Sequence, residues 1–75
     1  MDGTVTYTFS VSGMHCASCG LLIDETLEEI SGVRRAQTSV RAGRTTVDVD
    51  PALAGPEVLA AAIADAGYPA VLQQR

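Results

Sequence analysis

Between residues 4 and 11 the chain alternates, with Val5, Tyr7, Phe9 and Val11 apolar and Thr4, Thr6, Thr8 and Ser10 around and between them. A period of two built from β-branched and aromatic residues predicts a strand with one buried face, broken by Ser12-Gly13. The period then changes. Over 18–30, Ile23, Leu27 and Ile30 recur at spacings of four and three, while Asp24, Glu25, Glu28 and Glu29 occupy the other side. This predicts an amphipathic helix ended by Ser31-Gly32, with Gly32 just past its C-cap. Residues 33–40 read as a weaker strand with Ala36, Thr38 and Val40 on one face. Arg41-Ala42-Gly43-Arg44 supplies a turn, and Thr45, Val47 and Val49 mark a third strand paired with the second as a hairpin. After the Asp50-Pro51 stop, Gly55-Pro56 opens a second helix, Pro56 being tolerated where its missing N–H has no intrahelical partner. Val58, Leu59, Ala62, Ile63 and Ala66 form its expected buried stripe. Gly67 ends it, residues 68–72 form a last strand, and 73–75 are expected to fray.

Strand, helix, strand, strand, helix, strand is the split βαβ order. It predicts an α+β, ferredoxin-like βαββαβ domain over 1–75, with a four-stranded antiparallel sheet and two helices on one face. The other face should carry Thr4, Thr6, Thr8, Thr46 and Asp48 to solvent, without the aromatic platform that stacks RNA bases on this topology.

Size and charge narrow the function. A 75-residue domain buries only about 60–65% of its unfolded-chain surface, so a binding site belongs at the surface rather than in an enclosed pocket. The net charge is −4 and all five basic residues are arginine, which argues against nucleic acid and against anionic membrane surfaces. No apolar run approaches the ~18–20 residues of a membrane span, so direct membrane insertion is not expected. The acidic, alternating N-terminus does not read as a signal peptide. The expected compartment is the cytoplasm, where thiols stay reduced. The start at Met1 and the end soon after the fourth strand suggest a free-standing chain.

The chemistry concentrates in Gly13-Met14-His15-Cys16-Ala17-Ser18-Cys19, which holds both cysteines and the one histidine. In a reduced compartment this pair reads as metal or redox chemistry rather than as a disulfide staple. At a strand-to-helix loop, unpaired N–H groups and the positive end of the helix dipole stabilise thiolates. Ala17 and Ser18 let the two sulfurs converge into a soft, low-coordinate site that favours Cu(I) and other thiophilic ions over oxygen-loving ones. A closed zinc site needs about four ligands and would have to recruit Asp24 or a partner. A thioredoxin-like redox pair ordinarily has an aromatic residue before the motif and a proline inside it; neither stands here.

These residues resemble the heavy-metal-associated domain, the module of copper chaperones and of the N-terminal repeats of copper-transporting P-type ATPases. The resemblance runs from Tyr7 to Val71. The family's Gly-Met-x-Cys-x-x-Cys stands as Gly13 to Cys19, followed in order by Ser31-Gly32-Val33, by "VDVDP" over 47–51 and by Ala66-Gly67-Tyr68. It implies Cys16 and Cys19 as metal ligands, Tyr68 as a neighbouring cover over the site, and Met14 as a packing residue beneath the loop rather than a ligand. His15 falls at a variable, exposed position, with an auxiliary ligand as its alternative role. Gly20 departs from the larger residue common after the second cysteine and is expected to loosen the first helical turn.

The expectation is therefore a Cu(I) carrier, not an enzyme, since no catalytic set is offered. It would exchange the ion with the metal-binding domain of a heavy-metal-transporting P-type ATPase or related exporter. A Zn(II) or Hg(II) module and a thiol redox sensor are the alternatives. The chain is expected to be a monomer, with a metal-bridged dimer open to it. Ile23 faces inward, so at least one of Leu21 and Leu22 should be exposed near the loop, where a partner could cover it. The acidic helix face and the arginines at 34, 35, 41 and 44 are read first as solvated surface.

Overall fold

The computed structural model describes residues 3–15 and 17–73. Six elements follow in the expected order: β1 (Val5–Val11), α1 (Ala17–Glu28), β2 (Val33–Ser39), β3 (Arg44–Val49), α2 (Pro56–Asp65) and β4 (Ala70–Gln73). The strands form one sheet in the order β2-β3-β1-β4, with every neighbouring pair antiparallel. This is the ferredoxin-like arrangement.

The alternation in the strands places the core. Phe9 and Val11 from β1, Ala36 from β2, and Val47 and Val49 from β3 are buried together with Ile23 and Leu27 of α1 and Leu59 and Ile63 of α2. One core thus joins the sheet to both helices, and truncating one of its large residues to Ala costs about 2–5 kcal/mol. On the opposite face Thr6 and Thr46 are exposed, and the Thr6 hydroxyl donates to Asp48 Oδ1 at 2.7 Å. No aromatic side chain lies among these residues.

Several expectations need correction. Val58, placed in the buried stripe of the second helix, is 50% exposed. It lies about 100° round the helix from Leu59, and Leu59 and Ile63 alone define the fully buried line. The first helix ends at Glu28, so Ile30 is only half-buried and Gly32 lies in the turn leading to β2 rather than just past a C-cap. That turn still demands glycine. Gly32 has φ +98°, and a Cβ there would stand 2.7 Å from Leu53 Cβ. The last strand starts at Ala70 rather than at Tyr68, because Gly67 and Tyr68 are used to terminate α2. The Gly67 N–H donates to Ala64 O at 2.9 Å, and the Tyr68 N–H donates to Ile63 O at 3.3 Å. With Gly67 at φ +105°, these two bonds form a Schellman motif.

Candidate metal-binding site

The cysteine loop leaves β1 under firm constraint. The Val11 N–H donates to Gly43 O at 2.8 Å, tying the end of β1 to the tip of the β2–β3 hairpin. The Ser12 N–H donates to Pro69 O at 3.0 Å, tying the loop base to the approach to β4. Gly13 then turns the chain at φ +86°, a conformation that a side chain would strain. Met14 is half-buried against the core. His15 is exposed.

Cys19 is half-buried and is the third residue of α1. There the backbone N–H groups lack intrahelical acceptors and the helix dipole favours negative charge. Cys16, the other expected ligand, lies outside the described residues. Tyr68 packs against the core, and its Cδ1 is 3.8 Å from where a Gly13 Cβ would stand. The Schellman motif that ends α2 therefore brings the Tyr68 ring beside the loop.

Asp24 does not extend the thiol site. Its Oδ1 accepts a 2.7 Å hydrogen bond from the Thr38 hydroxyl, which directs the carboxylate to β2. Among the described residues no three His, Cys, Asp or Glu side chains gather as a metal-binding group. Two surface hollows, of 330 and 290 Å³, are lined by Gln37, Ser39 and Arg44 and by Gly32, Asp50 and Leu53 respectively, and neither borders the loop.

Around the site the surface is apolar and acidic. Leu21 and Leu22 are 62% and 45% exposed, so both leucines reach solvent beside Cys19. Glu25, Glu28 and Glu29 are exposed further along the helix. Gly20 does the opposite of loosening its turn. It is buried, and a Cβ there would lie 3.1 Å from Val40 Cγ2 and 3.4 Å from Thr38 Cγ2. Its missing side chain lets α1 approach β2 closely, a role that only the three-dimensional contact reveals.

Residues 8–69 match the heavy-metal-associated domain, and the chain belongs to that family. It is 34% identical over 71 residues to the mercuric transport protein periplasmic component of Pseudomonas aeruginosa, covering 95% of this chain and 78% of that protein. The copper-binding domain from HMA7, a P-type ATPase, superposes with a TM-score of 0.90 at 30% identity, covering 92% of this chain and 93% of that one. The CopZ metallochaperone superposes at 0.86 with 28% identity, covering 89% and 100%. No helix among the described residues is long and apolar enough to cross a membrane.

Proposed function

We propose that this protein carries Cu(I) between the thiolates of Cys16 and Cys19. The ion is cargo: the protein binds it and gives it up, and no residue acts as a catalyst. The observation that carries this reading is the placement of Cys19 in the first turn of α1, after a strand-to-loop transition held by Gly43 and Pro69. Two thiolates three positions apart suit a soft, low-coordinate ion. Transfer proceeds by exchange. A partner thiolate joins the ion, giving a transient three-coordinate state, and one of the original thiolates then leaves. The partner is the metal-binding domain of a P-type ATPase or related exporter, as the likeness to the HMA7 domain supports. Leu21 and Leu22 offer an apolar patch for it to cover, and the net charge of −4 suits receiving the ion from a basic donor. Tyr68 shields the ion, Met14 supports the loop from below, and His15 stays outside the ligand set. The chain works as a monomer in the cytoplasm.

The mercuric transport relatives favour a second reading, in which the same two thiolates take Hg(II). Sulfur-edge and metal-edge X-ray absorption on protein loaded anaerobically with Cu(I), Hg(II) or Zn(II), with competition for each ion, tests both. Two sulfur donors and preference for Cu(I) under competition support the copper reading. Retention of Hg(II) against excess Cu(I) supports the mercury reading, and a nitrogen donor would bring His15 into the site.

A further inference from the structure

Thr38 touches α1 at two successive turns. Its Cγ2 and Cβ lie 3.4 and 3.5 Å from the Cβ position of Gly20, and its hydroxyl donates to Asp24 Oδ1 at 2.7 Å. Gly20 and Asp24 are four residues apart and share one helix face. Across the hairpin, Thr38 pairs in register with Thr45, which is fully buried, and the two hydroxyl oxygens are 2.9 Å apart. A hydroxyl has one proton. Thr38 directs its own to the carboxylate, so Thr45 is the donor to Thr38. The chain therefore runs one way, from the Thr45 hydroxyl to the Thr38 hydroxyl to the Asp24 carboxylate, each bond polarising the next.

We infer that this chain, with the close contact at Gly20, is a clamp that fixes the first two turns of α1 on the β2–β3 hairpin and so positions Cys19 for the metal. Thr38 is a positioning residue: it sets where the helix begins and never meets the ion. The inference rests on the reading of Cys16 and Cys19 as ligands. Removing the Thr38 hydroxyl leaves the Asp24 carboxylate and the Thr45 hydroxyl without this partner, and the helix end can then shift relative to the loop. The loss should fall below the ten- to hundred-fold seen when a group bonded directly to a metal ligand is removed.

The test is an anaerobic Cu(I) competition titration against a chromogenic chelator, with amide ¹⁵N relaxation at Cys19, Gly20 and Leu21. Thr38→Val should weaken Cu(I) binding about three- to ten-fold, and Thr38→Ser, which keeps the hydroxyl, should restore it. Asp24→Ala, which keeps the strand pairing, should match Thr38→Val and serves if that variant does not fold. Val49→Ala, a core truncation at the other end of β3, should bind as the wild type does. Unchanged affinity in both Thr38→Val and Asp24→Ala overturns the inference, as does failure of Thr38→Ser to rescue or an equal loss in Val49→Ala. If the wild type does not bind Cu(I), the reading of the site fails and relaxation decides on the clamp. Increased mobility at Cys19–Leu21 in Thr38→Val but not in Val49→Ala supports it; unchanged mobility there overturns it.

Discussion

The two ends of the sheet are built to different standards. At the end away from the cysteines, the turn into β2 and the loop after β3 lock together. The Asp50 N–H donates to Gly32 O at 2.9 Å, Leu53 and Ala54 N–H groups donate to Asp50 O at 3.0 and 3.1 Å, and the Ala52 N–H donates to Asp50 Oδ1 at 3.0 Å. There is no room at Gly32 for even a methyl group. At the cysteine end the loop is fixed at its base, yet above the base there is space beside Gly13, and His15, Leu21 and Leu22 face solvent. The chain is closed at the end that only supports the fold and open at the cysteine end, where the proposed ion and partner would approach.

Substitutions at the two ends should therefore fail in different assays. Gly32→Ala should cost about 2–4 kcal/mol of stability in a denaturant titration, from backbone strain plus the clash with Leu53, while the molecules that stay folded keep their metal stoichiometry. Gly13→Ala should cost less, about 1–2 kcal/mol, because it meets the strain without the clash. Its larger effect should be a weaker hold on Cu(I), read by chelator competition. An equal stability loss at both positions would erase the distinction between the ends. Leu21→Ser combined with Leu22→Ser should change stability by no more than about 0.5 kcal/mol per site, as exposed positions do, yet slow transfer to a partner domain in stopped-flow measurements. His15→Ala should have the smallest effect, with Cu(I) affinity within about two-fold of wild type; a larger loss would make the imidazole a ligand.

The sequence made the fold legible wherever one periodicity decided the issue. Tyr7 to Val11, Thr45 to Val49 and the Ile23–Leu27 pair each announced a buried face, and those faces meet in one core, while Val5 at the start of the same alternation is exposed. It misled where a neighbour in space decided. Val58 is apolar and adjacent to the buried line, but 50% exposed, and periodicity alone does not mark where the covered arc of a helix stops. Gly20 read as a weakness because its partners, Thr38 and Val40, are far away in the chain. Asp24 read as part of a solvated acidic face for the same reason, although its carboxylate is held by Thr38. Ala66-Gly67-Tyr68 carried more information than its role in the resemblance. The Schellman motif explains physically why the tyrosine stands beside the loop. Of the two proposed ligands, Cys19 is placed at the helix start, while Cys16 lies outside the described residues and rests on the motif's resemblance to the family.

The claim that the two cysteines together hold the ion is tested most directly by anaerobic Cu(I) titration of the wild type and of the Cys16→Ser/Cys19→Ser double variant against the same chelator. One tightly held Cu(I) per wild-type chain and none in the folded double variant is the predicted result. Equal Cu(I) retention by the two proteins would contradict it.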